Sequence, residues 1–208
     1  MAYPVHVRIE YRERRSRLST LARGLLVVPH LVVVLLLGLA AWILTLVAWL
    51  VIIATGRYPR AFFGFVSGTL RYSTRVGCYW LLVTDRFPPF GLTAGPEGYP
   101  VSVWVDEPGR RSRPTTALRP VLAVPALLVL YFLALLGAVM SFVAWWAVLA
   151  TGWLPYGMFE VMSLGHRYQA RVVAYCWLLT DEYPWFQEES GSAPRQWGIE
   201  AAMEAVPE

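Results

Sequence analysis

The stretch LLVVPHLVVVLLLGLAAWILTLVAWLVIIA, residues 25–54, decides the fold class of this protein. It holds no charged side chain unless His30 is protonated, and residues 121–154 form a second apolar run with none at all. About 20 apolar residues of helix cross a bilayer core about 30 Å thick, and both runs are longer than that. With 57% hydrophobic and only 15% charged residues, the 208-residue sequence predicts an integral membrane protein.

The two apolar runs belong to a tandem repeat. A shift of 96 residues aligns the chain with itself without a gap, and 36 of the 88 positions from 3 to 90 are then identical. Prolines 29 and 125 and the Thr-Asp pairs at 84–85 and 180–181 coincide. Internal repeats of this kind indicate duplication of one structural unit. The predicted organisation is repeat 1 over residues 1–92, repeat 2 over 93–187, and an acidic, flexible tail over 188–208.

Each repeat is predicted to hold one short strand and two helices. Residues 5–10 and 101–106 alternate between β-branched and other side chains, a period typical of half-buried strands. Long helices are predicted over 22–54 and 118–150, and shorter helices over 61–83 and 157–179. Because open strands do not sit in lipid, both strands are expected at one membrane surface, where they can pair. The predicted fold is therefore an all-α membrane protein with four long helices and a strand at the start of each repeat.

The distribution of arginine predicts a topology. Residues 8–23 and residues 110–119 are rich in arginine, and the positive-inside rule favours the cytoplasm for such segments. This requires an even number of crossings per repeat. The simplest arrangement has two crossing helices in each of two parallel repeats, with both termini in the cytoplasm. One rival is a re-entrant hairpin formed by the long segment alone, with the shorter helix lying along the membrane surface.

The order of short motifs resembles a known family. YPV is followed by RRSR, a proline that opens a long apolar run, TGRYPR, LRYSTR and LLVTDRFPPF. This order resembles a bacterial membrane-protein family, domain of unknown function 4389, which is common in actinobacteria. The resemblance covers about residues 3–187 and implies a polytopic protein of the inner membrane, without an established activity. Repeat 2 departs from it, because TGWLPYG replaces TGRYPR and Ala126 replaces His30. His30 is therefore not part of a symmetric pair of sites. A lone histidine beside a proline at a membrane boundary is expected to be an interfacial residue and not a ligand.

Two arginine pairs lie within the shorter helices and form the candidate site. Arg71 and Arg75 are four residues apart, and Arg167 and Arg171 repeat the spacing. An arginine at the centre of a crossing helix costs at least about 2.5–3.5 kcal/mol, so each needs a partner. One interpretation gives them main-chain carbonyls of neighbouring segments, or headgroups reached by snorkelling. The other gathers all four around an anionic group such as a phospholipid headgroup, which guanidinium groups suit.

Small side chains form a stripe on each long helix. Their spacing of three or four residues puts them on one helix face, and small residues let membrane helices approach closely. We therefore predict a role in helix packing, with a pore lining as the alternative. The predicted packing residues are Ala41, Thr45, Ala48, Gly137, Ser141 and Ala144.

The sequence gives little support to catalysis. It contains no recognisable catalytic group of residues, no metal-ligand spacing and no phosphate-binding glycine loop, so neither a cofactor nor a metal is predicted. Nucleic acid is not an expected partner, because the arginines flank apolar segments and there meet anionic lipid. The predicted function is that of a non-enzymatic inner-membrane protein that binds anionic lipid or serves as an accessory subunit, as a homo-oligomer or with a partner membrane protein. A small oligomeric transporter or channel is the alternative.

Overall fold

The computed structural model describes residues 3–93, 98–107 and 109–185. The acidic tail predicted over 188–208 lies outside these residues. The elements come in the same order in both repeats, a strand followed by a long and a shorter helix. They are β1 (Val5–Ile9), α1 (Arg17–Thr55), α2 (Arg60–Trp80), β2 (Val101–Val105), α3 (Arg113–Thr151) and α4 (Tyr156–Cys176).

The long helices have defined ends. Ser16 caps α1, because its side chain accepts a hydrogen bond from the Ser19 amide, as serine commonly does at this position. Gly56 ends α1 and Gly152 ends α3, with φ angles of 71° and 78° that glycine adopts without strain. Both helices start five residues before the predicted positions, since the polar residues after the cap continue the helix.

The shorter helices end before the Thr-Asp pairs. Leu82 and Leu178 adopt positive φ angles of 62° and 63°. The Thr84 amide then donates to the Cys78 carbonyl over 3.0 Å. Helices α2 and α4 therefore stop three residues before the positions predicted from the sequence, at a left-handed turn that the leucine-rich sequence does not signal.

The two strands form an antiparallel ribbon that joins the repeats. Val7 lies opposite Val103 at its centre, so the predicted strands are confirmed and they pair with each other. The valines and Ile9 on one face are buried. The other face carries polar or partly exposed residues, namely His6, Arg8, Ser102 and Trp104.

The two long helices run antiparallel to each other. The Trp49 indole near the end of α1 donates to the Thr116 carbonyl at the start of α3, over 2.9 Å. The Trp145 indole near the end of α3 donates to the Thr20 carbonyl at the start of α1, over 3.2 Å. The predicted parallel arrangement of the repeats is therefore wrong. The prediction assumed that the arginine-rich segments before α1 and α3 lie on the same side of the membrane next to parallel helices. In the structure, the two helices start at opposite ends of the pair.

The elements form three layers. Helix α2 packs against both α1 and β2, and α4 packs against both α3 and β1. Among the described residues, neither long helix lies within backbone contact distance of the ribbon. The ribbon is thus one outer layer, α2 and α4 form the middle layer, and α1 and α3 form the other outer layer.

The layer of α1 and α3 is apolar on its outer surface. One stripe of α1 is buried, including Val27, Ala41 and Ile52, whereas leucine and valine side chains are exposed around the rest of the helix. In the described part of the chain, α1 and α3 alone are long and apolar enough to cross a membrane. Four such helices were expected from the sequence. Helices α2 and α4 carry too many polar residues to qualify.

The predicted packing stripe lies on the inner side of the long helices. Ala41, Ala48 and Ala144 are fully buried, and Ser141 is nearly so. Gly137 is buried as well, while Thr45 is half-buried. These residues lie on the inner side of the long helices, although a Cβ added at Gly137 would meet no atom of a neighbouring segment within 4 Å.

Candidate functional site

The first arginine pair binds main-chain carbonyls. Arg75 is almost fully buried, and its Nη2 donates to the carbonyls of Gly91 and Thr93 over 3.1 and 2.6 Å. Arg71 is partly exposed, and its Nε donates to the Val103 carbonyl of the ribbon over 3.1 Å. Arg75 thus has main-chain acceptors, as buried polar groups usually do. The pair therefore fastens the 91–93 segment and the ribbon to α2.

The second arginine pair is arranged in a related way. Arg171 is buried beneath the ring of Tyr3, with its guanidinium carbon 5.2 Å from the ring centroid. Its Nη1 lies 3.4 Å from the Trp185 carbonyl. Arg167 is partly exposed. Burial raises the pKa of the Cys78 thiol, and the charge of Arg167 opposes this rise. These contacts of the two pairs lead to different segments, and the choice between the two interpretations made from the sequence stays a prediction.

Another arginine of repeat 1, Arg23, forms a buried ion pair. Arg23 is 3% exposed, and its guanidinium group forms an ion pair with Asp85. Its Nη1 also donates to the carbonyls of Tyr79 and Thr84, and its guanidinium carbon lies 4.6 Å from the centroid of the Tyr79 ring. The other oxygen of Asp85 accepts the Ser16 amide over 2.7 Å. One carboxylate thus joins the start of α1 to the segment after α2.

Repeat 2 contains the same clamp. Arg119 is again 3% exposed and lies 2.5 Å from Asp181. Its Nη1 donates to the Tyr175 and Thr180 carbonyls over 2.9 and 2.5 Å. The Ser112 amide donates to the second oxygen of Asp181 over 3.0 Å. The two clamps therefore share their ion pair, carbonyl and amide partners, and Asp181 also lies 3.9 Å from Arg111.

These clamps were missed by the sequence reasoning. The Thr-Asp pairs served to align the repeats, and the arginines were interpreted as topology signals. A usable signal was present, because the arginine and the aspartate are both retained in each repeat at the same spacing of 62 residues. Two opposite charges preserved together in a diverged duplication indicate an ion pair.

Main-chain bonds next to the clamps join the two repeats. The Arg15 amide donates to the Gly152 carbonyl over 2.9 Å, and the Arg111 amide donates to the Gly56 carbonyl over 3.0 Å. The side chain of Arg15 also donates to the Val83 carbonyl over 2.8 Å. Each end of the α1–α3 pair is therefore tied to the middle layer.

His30 lies in the protein interior. It is fully buried, and its Nδ1 lies 2.6 Å from the Tyr72 hydroxyl. Its ring stacks on Phe90 with centroids 4.2 Å apart. The expected interfacial position is therefore wrong, because α2 and the 87–90 segment cover this face of α1. Repeat 2 has Ala126 at the equivalent position and lacks this pair.

Exposed arginines surround the apolar layer at both of its ends. They belong to the segments that enter or leave the long helices, and within those segments they project from the surface. The exposed members are Arg12, Arg14, Arg17, Arg57, Arg60, Arg110 and Arg113. The described residues include no group of three His, Cys, Asp or Glu side chains that would hold a metal ion.

Together these features define a tandemly duplicated helical protein with one apolar side and one polar side. The family model described as Domain of unknown function (DUF4389) matches the chain twice, over residues 17–91 and 113–188. The chain belongs to this family, and the two matches correspond to the two repeats. No curated protein and no solved structure matches the chain.

Proposed function

We propose that this protein is a non-enzymatic membrane protein of the bacterial inner membrane that embeds its α1–α3 layer along one leaflet and binds anionic lipid there. The observation that carries the proposal is the three-layer order, with an outer surface on α1 and α3 that is apolar between their polar ends and a polar ribbon on the opposite side. An amphipathic helix, with one apolar and one polar face, lies in the plane of the membrane interface. This protein has the same division between two opposite sides, so the same placement suits it.

The position of the ribbon argues against a crossing orientation. Arg71, at the middle of α2, bonds to Val103 at the middle of β2. Helix α2 in turn packs against α1, and its Tyr72 and Val76 share a small buried cluster with Val27 of α1. If α1 stood along the membrane normal, the open ribbon would lie beside the centre of the bilayer. Unpaired strand edges there cost several kcal/mol for each group.

The placement of arginine supports the same orientation. Two antiparallel crossing helices would put the segments 8–23 and 110–119 on opposite sides of the membrane, against the positive-inside rule. With α1 and α3 lying in one leaflet, both segments remain on the cytoplasmic side. This agrees with the cytoplasmic termini predicted from the sequence. It shares with the rival the shorter helices that lie along the surface, but not the re-entrant hairpin, because α1 and α3 are each one continuous helix.

Anionic lipid is the expected partner of this surface. The arginines at the two ends of the layer project at the level where headgroups would lie, and each such residue contributes about 1 kcal/mol of attraction to an anionic membrane. Because guanidinium groups bind phosphate through two parallel hydrogen bonds, phospholipid headgroups suit them. Binding would keep the protein at the bilayer surface as a platform, with the ribbon facing the aqueous phase for partner proteins.

Labelling of the two ends of α1 tests this orientation. Single cysteines at the exposed positions Arg12 and Arg57, with Cys78 and Cys176 replaced by alanine, will both react with an impermeant maleimide from the cytoplasmic side. The physical reason is that a helix lying in one leaflet begins and ends on the same side. Spheroplasts expose the periplasmic side of the membrane to the reagent, and inside-out vesicles expose the cytoplasmic side.

Reaction of the two positions from opposite sides of the membrane would contradict the proposal and restore a crossing α1. A cysteine at Arg8, on the polar face of the ribbon, is the matched control, because it should label from the same side as both ends of α1.

A further inference from the structure

A polar cavity of about 480 Å³ lies at the junction of α1 and α2. We call it the arginine pocket. It differs from the arginine pairs and from the clamps, and its size falls within the range of small-molecule sites. Its lining includes Arg57, Tyr58, Arg60, Phe63, Glu107 and Arg110.

The pocket has an excess of positive charge. Three arginines and one glutamate line it, and all four side chains are exposed. None of the described ion pairs involves these three arginines. Exposed guanidinium groups that converge on one cavity present paired N–H donors to whatever occupies it.

Tyr58 adds a buried donor to this wall. The residue is 6% exposed, and its hydroxyl lacks a hydrogen-bond partner among the described residues. Burial raises the pKa of this hydroxyl, although the nearby charge of Arg111 opposes the shift. The hydroxyl therefore keeps its proton. A buried donor without an acceptor costs about 1–3 kcal/mol, so an acceptor that reaches this hydroxyl from the pocket, by a small shift of the wall that now closes it off, would relieve this cost.

Repeat 2 has lost the equivalent features. Trp153 and Tyr156 stand where Arg57 and Arg60 stand in repeat 1, and Leu154 replaces Tyr58. Tyr156 packs edge-on against Tyr11, with ring centroids 5.2 Å apart. Aromatic contacts thus occupy the place that in repeat 1 is charged and open. Because the clamps share their main partners in both repeats, the fold does not require arginine at positions 57 and 60, whereas Arg110 has a counterpart in Arg14.

We propose that the arginine pocket binds an anionic oxyanion group of the phosphate type, with the arginines as charged donors and the Tyr58 hydroxyl as a neutral donor. The group belongs either to a phospholipid headgroup or to a soluble phosphate compound. Only the lipid source rests on the membrane orientation proposed above. Glu107 weakens binding through repulsion of the anion.

Binding to the full chain in a mild detergent tests the pocket. The probes are inorganic phosphate and short-chain phosphatidylglycerol, with short-chain phosphatidylcholine as the zwitterionic control, and the readout is isothermal titration calorimetry. We expect the double variant Arg57→Gln/Arg60→Gln to weaken binding at least tenfold. Tyr58→Phe should weaken it several-fold without loss of thermal stability, whereas Glu107→Gln should tighten it.

The controls are titrations of Arg8→Gln with both probes; this variant removes an exposed arginine of the ribbon and should leave binding unchanged. Binding of phosphatidylglycerol alone assigns the pocket to a lipid headgroup, and binding of phosphate alone assigns it to a soluble compound. Absence of binding by both probes, or equal weakening in the controls, would overturn the proposal. Labelling of both ends of α1 from one side would still stand in that case, so the two proposals fail separately.

Discussion

Replacement of Asp85 by alanine will destabilise the protein by about 3–5 kcal/mol, the cost of leaving a buried charge without its partner. The Arg23 guanidinium group is 3% exposed and would keep its charge in the interior. The Ser16 amide at the start of α1 would also lose its acceptor. The measurement is the free energy of unfolding by denaturant in mixed micelles. Asp181→Ala should show a loss of the same size.

A double variant separates the ion pair from its burial. Arg23→Met combined with Asp85→Leu removes both charges, and such replacements are often close to neutral in stability. We expect the double variant to lose clearly less than Asp85→Ala alone. The exposed pair of Arg8 and Glu10, 3.1 Å apart, is the control, and Glu10→Ala should cost no more than about 1 kcal/mol. A loss in Asp85→Ala as small as in Glu10→Ala would show that the clamp does not hold the helices.

Arg75→Gln will cost about 2–4 kcal/mol, because the two hydrogen bonds from its Nη2 to the Gly91 and Thr93 carbonyls are charge-assisted. Arg75→Lys should recover only part of this loss, since an ammonium group does not reproduce the planar fork. The readouts are the free energy of unfolding and the rate of proteolysis in the 91–93 segment, which should rise in Arg75→Gln.

The same variant separates the two interpretations made from the sequence. Arg71→Gln is the matched control for the free energy of unfolding. It should cost less than Arg75→Gln, because Arg71 is partly exposed and makes one hydrogen bond to the ribbon. If Arg75 serves only to hold the chain, Arg75→Gln will leave the amount of co-purified anionic lipid unchanged. Loss of bound lipid together with unchanged stability would instead favour the shared anionic site around the arginine pairs.

Much of the fold follows from periodicity along the chain. The apolar runs, the alternating strands and the 96-residue repeat each depend on local sequence, so four helices, two strands and the duplication are all predicted. The antiparallel relation of α1 and α3 is not local. It depends on contacts such as that between the Arg15 amide and the Gly152 carbonyl, which no pattern in either repeat records.

The site was harder to predict for a related reason. Arg71 and Arg75 draw attention because they interrupt an apolar helix, and the structure gives Arg75 main-chain partners. Arg23 lies at the edge of an arginine-rich segment, where charge is expected and a buried ion pair is not. Its pairing with Asp85 becomes visible only when the two repeats are compared for residues that both retain.

Three positions on the outer surface of α1 test the central claim, that this helix lies along one leaflet. Leu25, Leu36 and Leu50 share one face and are 79%, 62% and 62% exposed. A helix rises 1.5 Å per residue, so Leu25 and Leu50 are about 37 Å apart along a straight axis. Each is replaced by cysteine and labelled with a fluorophore, with Cys78 and Cys176 replaced by alanine.

The measurement is quenching of each label by lipids that carry a quencher at defined depths in liposomes. An α1 that lies in one leaflet places all three labels at nearly the same shallow depth, within about 5–10 Å of the headgroup boundary. A crossing α1 places Leu36 near the bilayer centre and the other two near the surfaces. A label at Leu36 that is about 10 Å or more deeper than the labels at Leu25 and Leu50 would contradict the account.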